Sequence, residues 1–196
     1  MKGNGLLVVI SGPAGAGKGT VVRELLKNGD LEVSVSATTR APRAGEEDGV
    51  HYHFLTREQF IDMKEHDGFL EYAEYCGNFY GSPKKQAEEW MAEGKDVILE
   101  IEVQGCQKIK AKNPDCVSIF IMPPSMEVLE KRLRGRGTET EDVIVRRMAR
   151  AREEIALAKD YDYIVVNGPI EECVADVLSV LRAEKLRADR FREEIL

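Results

Sequence analysis

The chain carries short apolar runs that are rich in β-branched residues: "LLVVIS" at 6–11, "LEVSVS" at 31–36, "DVILEI" at 96–101, "VSIFIM" at 117–122 and "DYIVV" at 162–166. Most of them are followed by a segment in which apolar residues recur at helical spacing. Strands that alternate with helices in this way build a parallel sheet covered by helices. Because "VILEI" and "SIFIM" are apolar at almost every position, we expect strands that are buried on both faces. The pattern predicts an α/β fold with a parallel sheet flanked by helices.

Residues 37–82 interrupt this alternation. After the loop "ATTRAPRAGEEDG" come a short strand "HYHF", a helix that begins with a capping box formed by Thr56 and Gln59, and the alternating strand "FLEYAEY". The turn "CGN" then leads into "FYGSP". We therefore expect a small inserted sub-domain of mixed α+β structure beside the parallel sheet.

A second interruption, "RGRGTETE" at 134–141, lies between two helical patterns. Its glycines and polar residues are typical of a lid that moves over a site. We therefore predict one domain that covers residues 1–196. Its core comprises residues 1–36, 83–130 and 155–196, its inserted sub-domain residues 37–82, and its helical lid residues 131–154.

Composition and charge restrict the class of protein. The 196-residue chain has a formal net charge of −7, which disfavours nucleic acid as a partner, so an anionic substrate must meet local positive charge. No apolar run approaches the roughly 20 residues that a membrane helix needs, and the N-terminal apolar stretch is too short for a secretory signal. The cysteines lack C-x-x-C spacing, which indicates reduced thiols. We expect a cytoplasmic protein without a membrane partner, and the sequence leaves the oligomeric state open, a homo-oligomer included.

The segment "SGPAGAGKGT" is the strongest candidate for chemistry. It lies between an apolar strand and a helical pattern, and its Gly12, Gly17 and Lys18 fit the phosphate-binding loop G-x-x-x-x-G-K-[ST]. Such a loop directs backbone N–H groups, a helix N-terminus and a lysine at phosphate oxygens. A glycine-rich turn with a chance lysine is the alternative, and the flanking strand and helix favour the loop. Because Gly19 follows the lysine, the hydroxyl comes one residue late, at Thr20; this "GKGT" order resembles the nucleoside monophosphate kinases, in which Mg²⁺ is held mainly by phosphates and water.

Arginines far from the loop favour phosphoryl transfer between two nucleotides over GTP hydrolysis. Several cations are needed to bring two polyanions together, and charge develops on the group that is transferred. The chain also lacks the N-K-x-D segment that is typical of guanine recognition in GTPases. The candidate cations are Arg40, Arg43, Arg132, Arg134, Arg136, Arg146 and Arg147.

Several longer strings follow one another along the chain: "SVSATTRAPRAGEEDGVHYHF", "FLEYAEYCGNFYGSP", "VILEIEVQG", "RLRGRGTET" and "DYIVVNG". Their order and approximate spacing resemble the guanylate kinase family, and the likeness covers essentially the whole chain. The resemblance implies a fold of the P-loop NTPase type and an enzyme that uses ATP to phosphorylate GMP, and dGMP. The transfer would be direct and in line, with Mg²⁺ as cofactor and GDP as the product from GMP.

The resemblance also implies roles for individual residues. Lys18, Arg40, Arg136 and Arg147 would act in catalysis. ATP would be bound by Gly12, Pro13, Ala14, Gly15, Ala16, Gly17, Lys18, Gly19 and Thr20, with Asn167 near the adenine. The GMP phosphate would be held by Arg40, Arg43, Tyr52 and Tyr80, and the guanine by Ser36, Glu71, Ser82 and Glu102.

Two carboxylates near the end of "VILEIE" receive separate interpretations. Glu102 stands where many family members have Asp, so the carboxylate is retained with a longer reach. Glu100 would orient magnesium-bound water in the manner of a Walker B acid, and no residue is assigned as a direct metal ligand. Arg150 and Arg152 are interpreted as part of a solvated helix face.

Two alternatives to a guanylate kinase stay open. A non-catalytic, guanylate-kinase-like module for protein interaction could dispense with Lys18 and the lid arginines, both of which this chain retains. A kinase for another nucleoside monophosphate would keep the phosphate loop and differ in the base that it accepts. Testing several nucleoside monophosphates in one assay separates these possibilities.

Overall fold

The structure, a computed structural model, describes residues 5–43, 45–75, 77–135 and 140–190. The strands and helices in chain order are β1 (Leu7–Ser11), α1 (Lys18–Leu25), β2 (Leu31–Val33), β3 (Ala37–Thr38), β4 (His53–Phe54), α2 (Arg57–Glu65), β5 (Phe69–Tyr75), β6 (Asn78–Pro83), α3 (Lys84–Ala92), β7 (Asp96–Glu100), α4 (Val103–Lys112), β8 (Val117–Met122), α5 (Met126–Arg134), α6 (Glu141–Ala156), β9 (Tyr163–Val166) and α7 (Ile170–Lys185). Short 3₁₀ turns follow α1, α6 and α7.

The main sheet is parallel and has the strand order β2-β7-β1-β8-β9. On the central strand β1, Val8 and Ile10 lie in a core cluster with side chains of α1 and α7. Leu7 and Val9 lie in a second cluster with side chains of α3 and α4. Alternate side chains of β1 therefore enter different helical layers, which explains why its sequence is apolar at consecutive positions. The predicted parallel sheet with flanking helices is confirmed.

A crevice opens where the carboxyl ends of β1 and β7 lie side by side. The helix that follows β1 packs in one layer, and the helix that follows β7 packs in the other. In open α/β sheets, ligands bind where neighbouring strands send their connections to opposite faces. Ser11 and Glu100 end these two strands, so the glycine-rich loop and the Glu100 carboxylate meet at the crevice.

A second sheet is built by residues of the insertion, with the strand order β4-β3-β6-β5. Strand β3 is parallel to β4, and β6 is antiparallel to both of its neighbours. Helix α2 packs on this sheet through Phe60, whose ring stacks on Phe69 with centroids 4.3 Å apart. The helix begins where the Thr56 hydroxyl accepts from the Gln59 backbone N–H and the Gln59 side chain accepts from the Thr56 N–H. The predicted capping box is confirmed.

The strand predicted for "HYHF" is shorter than expected, because only His53 and Phe54 form β4. The residues before it turn instead, and the ring Nδ1 of His51 accepts a hydrogen bond from the Glu47 backbone N–H at 3.1 Å. Tyr52 makes an isolated bridge to Asp48. The strand prediction is therefore wrong for residues 51 and 52.

Helices α5 and α6 pack against each other through the buried residues Leu129, Leu133, Ile144, Met148 and Ala151. An ion pair between Arg134 at the end of α5 and Glu141 at the start of α6 adds a second contact. These helices contain most of the predicted lid. Its central residues 136–139, including the predicted catalytic residue Arg136, lie outside the described residues.

Candidate nucleotide site

The loop between β1 and α1 has a backbone that only glycine adopts readily. Gly12, Gly15 and Gly17 have φ angles of 147°, 91° and 92°, which are strained for L side chains. A Cβ on Gly12 would also lie 2.4 Å from the carbonyl oxygen of Ile121 on β8. The glycines therefore let the loop turn tightly against the sheet, so that the N-terminus of α1 faces the crevice, where it favours anions.

The loop lines an open cavity of about 470 Å³. The residues around this cavity are Ala14, Gly15, Gly17, Lys18, Gly19, Thr20, Arg23 and Glu100. Most of the residues predicted to bind ATP phosphates therefore face one space, together with a carboxylate from β7. Of the other three, Gly12 and Pro13 contribute carbonyl oxygens to the loop, and Ala16 is buried.

Lys18 is the first residue of α1, and its ammonium group folds back over the loop. Its Nζ donates hydrogen bonds to the carbonyl oxygens of Gly12 at 2.6 Å and Pro13 at 3.3 Å. These contacts hold a positive charge beside the helix N-terminus. Backbone amides, helix dipole and ammonium together make this end of the cavity suited to phosphate.

Asn167 and Arg132 hold the loop at the carbonyl oxygen of Ala16. Asn167 is buried directly after β9, and its Nδ2 donates to that oxygen at 2.7 Å. Arg132 on α5 donates to the same oxygen at 3.2 Å and to the Asn167 carbonyl oxygen at 3.0 Å. The structure thus places Asn167 against the loop backbone. The sequence predicts only that Asn167 lies near the adenine and does not predict this contact. Arg132, a candidate phosphate cation from the sequence, instead donates to backbone carbonyls here.

Glu100 brings a carboxylate to the cavity from the end of β7. A Cβ on Gly19 would lie 3.6 and 3.7 Å from its two carboxylate oxygens, so the first turn of α1 passes close to this group. Limited solvation raises the pKa of Glu100, and the nearby Lys18 ammonium partly offsets that rise. An anionic group beside the phosphate cradle is suited to a metal-bound water and would repel a phosphate.

Arg40 follows strand β3 of the second sheet, and its side chain is held by Glu46. The guanidinium donates from both Nη atoms to the two Glu46 carboxylate oxygens, each at 2.9 Å, and the Arg43 backbone N–H donates to the same carboxylate at 2.7 Å. This arrangement lowers the pKa of Glu46 to about 2. The Arg40 Cζ is 5.4 Å from the ring centroid of Tyr52, whose ring is 6.1 Å from that of Tyr80. The side chains of Arg40, Tyr52 and Tyr80 therefore lie together, the Arg43 backbone shares the Glu46 carboxylate with Arg40, and Glu46 is a partner that we did not predict.

Glu71 and Ser82 form a buried polar pair on neighbouring strands of the second sheet. They are register partners on β5 and β6, and the Ser82 hydroxyl donates to Glu71 Oε1 at 3.1 Å. Gly105 on α4 brings that helix close to the carboxylate, since a Cβ on Gly105 would lie 3.4 Å from Glu71 Oε2. Burial raises the pKa of Glu71, and the Ser82 hydrogen bond opposes the rise. The pair offers acceptors for neighbouring N–H donors of a planar base.

The raised pKa of Glu71 predicts how its replacement changes stability with pH. Its folded-state pKa lies above the unfolded value, so its contribution to stability is present at low pH and is lost as the pH rises through the folded-state pKa. Glu71→Gln removes this loss. The thermal midpoint of Glu71→Gln relative to the unmodified protein should therefore increase as the pH rises from about 4 to about 8. Thermal unfolding of both proteins across this range measures the difference, and a difference independent of pH would contradict the prediction.

Glu102 is the residue just before α4, and its side chain pairs with a residue of α6. Arg150 donates through Nη2 to Glu102 Oε2 at 2.6 Å and through Nε to Glu154 Oε1 at 2.8 Å. Arg150 is therefore more than a solvated helix residue: 40% of its side chain is exposed, and its head group pairs with two carboxylates. Arg147, a predicted catalytic residue, is half-buried one turn earlier on the same helix. No local pattern in the sequence indicates that α6 lies beside the start of α4.

Ser36, predicted to contact the guanine, is placed only by a backbone contact. Ser36 directly precedes β3, and its carbonyl oxygen accepts a hydrogen bond from the His53 N–H at 2.9 Å. Within the described residues there is no group of three or more His, Cys, Asp or Glu side chains that could hold a metal ion. Over the same part of the chain, no helix has the length and apolar character needed to cross a bilayer.

The parallel sheet, the glycine loop with its lysine, and a second sheet with a buried carboxylate define a P-loop protein of the nucleoside monophosphate kinase class. The sequence profile of the guanylate kinase family matches residues 4–184. Guanylate kinase from Carboxydothermus hydrogenoformans is 51% identical over 193 residues, which cover 98% of this chain and 95% of that protein. Guanylate kinase from Halalkalibacterium halodurans is 52% identical over 194 residues, with 98% and 95% covered.

A solved structure agrees with the sequence relatives. The crystal structure of guanylate kinase from Anaplasma phagocytophilum superposes with a TM-score of 0.78 at 39% identity and covers 96% of this chain and 90% of that chain. The chain belongs to the guanylate kinase family. The predicted family, the P-loop fold and the assignment as a kinase are confirmed.

Proposed function

We propose that this protein transfers the terminal phosphoryl group of ATP to the phosphate of GMP, giving ADP and GDP, and that it accepts dGMP in the same way. One observation carries the proposal: β7 brings Glu100 to the cavity of the Lys18 loop, and the helix that follows it, α4, lies against the buried pair of Glu71 and Ser82. Relatives that are about half identical over nearly the whole chain are named guanylate kinases, which supports the same reaction.

On the donor side, the loop and Lys18 would bind the ATP phosphates. The Lys18 ammonium, which now donates to loop carbonyls, would turn to phosphate oxygens that are stronger acceptors. Asn167 and Arg132 would keep the loop in shape by holding the Ala16 carbonyl. Arg147, with Arg136, would approach the transferred group from the lid side.

On the acceptor side, Arg40 and Arg43 would hold the GMP phosphate together with the hydroxyls of Tyr52 and Tyr80. Glu46 orients Arg40 by a two-point contact, so the fork is already fixed before the nucleotide arrives. The guanine would lie against Glu71 and Ser82, with Ser36 and Glu102 beside it. Guanine presents N1–H and 2-amino donors side by side, which an ionised carboxylate accepts through two oxygens.

The chemistry requires positioning and charge. The attacking GMP phosphate oxygen is already anionic, so no general base is needed, and the phosphoryl group passes in line without a covalent enzyme intermediate. Mg²⁺ fits the site because the Glu100 carboxylate faces the cavity; the ion would be held mainly by phosphates and water, with Glu100 binding a coordinated water. When bound, Mg²⁺ would neutralise phosphate charge.

We further propose that residues 37–82 act as the GMP-binding unit and residues 131–154 as the lid over a core formed by the rest of the chain. Closure of these parts would exclude water from the activated phosphoryl group. We also place the protein in the cytoplasm. The buried thiols of Cys106, Cys116 and Cys173, whose pKa values burial raises, suit a reducing compartment.

A coupled assay of ADP production with ATP, Mg²⁺ and each of GMP, dGMP, AMP, CMP and UMP tests the proposed function. GMP and dGMP should support turnover, and the other three should give kcat/KM values lower by several orders of magnitude. A preference for another base would assign the site to a different nucleoside monophosphate. Failure to turn over any of them would favour the non-catalytic module.

Substitution of Arg40 tests the placement of the acceptor phosphate. Arg40→Ala should raise the KM for GMP at least about tenfold, because a charge-assisted contact to phosphate contributes about 1.5–3 kcal/mol. The KM for ATP should change much less, and it serves as the internal control. Steady-state kinetics with each nucleotide varied in turn measures both. Equal increases in the two KM values would remove Arg40 from the acceptor site.

A further inference from the structure

The ion pair between Arg150 and Glu102 connects two parts of the site that are distant in sequence. Arg150 lies on α6, four residues before Glu154, and Glu102 is the residue just before α4. The guanidinium uses Nη2 for Glu102 Oε2 at 2.6 Å and Nε for Glu154 Oε1 at 2.8 Å. The contact with Glu102 engages one carboxylate oxygen by a charged hydrogen bond, which is short and directional.

Glu102 lies three residues before Gly105, the residue of α4 that is close to the Glu71 carboxylate. The Gly105 backbone N–H donates to the Glu102 carbonyl oxygen at 2.9 Å, and Gly105 is the residue that brings α4 against Glu71. Glu102 therefore lies at the end of α4 that approaches Glu71, and the proposed function assigns both carboxylates to the guanine.

Glu154 is the second partner of the Arg150 guanidinium. Glu154 is mostly shielded, with 14% of its side chain exposed. Burial raises the pKa of Glu154, and the positive charges of Arg150 and Lys18 oppose that rise. Arg150 thus lies between a shielded carboxylate on its own helix and the Glu102 carboxylate at the start of α4.

We propose that Arg150 is a positioning residue that holds Glu102 in place to accept a hydrogen bond from the 2-amino group of the bound base. The inference rests on the proposed function. Glu102 is a flexible side chain that is largely exposed, and an ion pair that fixes its rotamer before binding removes part of the ordering cost of recognition. The pair also ties α4 to the helix that carries Arg147.

Four variants of the full chain test the proposal: Arg150→Gln, Glu102→Gln, the double variant, and Arg150→Lys. The substrates are GMP and inosine 5′-monophosphate, which lacks the 2-amino group. Arg150→Gln should raise the KM for GMP about threefold to fivefold, the range of an exposed ion pair, and leave the KM for ATP and for the inosine nucleotide unchanged. The double variant should match the Glu102→Gln variant, because Arg150 acts through Glu102. Arg150→Lys should restore part of the GMP affinity.

Arg152→Gln is the matched control, because Arg152 is exposed on the same helix, and it should behave like the unmodified protein. Equal effects of Arg150→Gln on GMP and the inosine nucleotide, an effect on ATP, or additive single effects would overturn the proposal. A lower KM for GMP would overturn it as well, since the pair would then compete with the base. If the unmodified protein fails to phosphorylate GMP, the proposed function fails; if it succeeds while Arg150→Gln changes nothing, only the role of Arg150 fails.

Discussion

Replacement of Lys18 by methionine should lower kcat at least about a hundredfold, because loss of a preorganised charge at the transferred group costs on the order of 3 kcal/mol. The ammonium lies at the head of α1 and is held over the loop by the Gly12 and Pro13 carbonyl oxygens, so a small turn of the side chain brings it to the ATP phosphates. Methionine has similar length and leaves the helix intact. Single-turnover and steady-state rates with saturating ATP and GMP measure the loss.

The control for this substitution is Lys27→Met. Lys27 lies just after α1, is exposed over 66% of its side chain and pairs only at the surface with Glu24. The same chemical change there should leave kcat within about twofold, since exposed ion pairs contribute little. A Lys18→Met protein with near-normal kcat would remove Lys18 from the mechanism.

Replacement of Glu71 by glutamine should remove most of the activity with GMP and reduce discrimination against AMP at least about tenfold, which corresponds to about 1.4 kcal/mol. Adenine turns an acceptor, N1, toward the position where guanine has a donor, and a buried carboxylate left unpaired in this way rejects the wrong base by about 10⁴-fold. The glutamine amide can donate to adenine N1, so the free-energy cost of binding AMP falls. The ratio of kcat/KM values for GMP and AMP, measured with both proteins, gives the change.

Glu74→Gln is the matched control, because Glu74 is exposed on β5 and, three residues from Glu71, points to the opposite side of the strand. Its ratio for the two bases should equal that of the unmodified protein. If Glu71→Gln also leaves the ratio unchanged, Glu71 does not recognise the guanine, and Glu102 becomes the next candidate.

The parallel sheet could be predicted because its strands are buried on both sides. Val8, Val9 and Ile10 face alternate helical layers, so apolar side chains are required at every position and the run is visible in one sequence. The capping box of α2 is equally local, since Thr56 and Gln59 satisfy each other's backbone groups. The length of the short strand β4 was overestimated, because the residues before it turn and the turn depends on the contact between Glu47 and His51.

The partners of the predicted site residues could not be found in this way. Glu46 fixes Arg40, Arg132 holds the Ala16 carbonyl and Arg150 holds Glu102, and each contact depends on how separate elements pack. An arginine in a helix has the same local pattern whether it faces water or a carboxylate on another element. The sequence therefore predicts which residues carry the chemistry better than it predicts which residues orient them.

A crystal structure with a two-nucleotide analogue, in which adenosine and guanosine are joined through their phosphates, tests the central claim most directly. The account predicts that the adenosine phosphates lie on the loop and Lys18, that the guanosine phosphate is bound by Arg40 and Arg43, and that the guanine N1–H and 2-amino groups donate to Glu71. A guanine placed away from the second sheet, or adenosine phosphates bound away from the Lys18 loop, would contradict it.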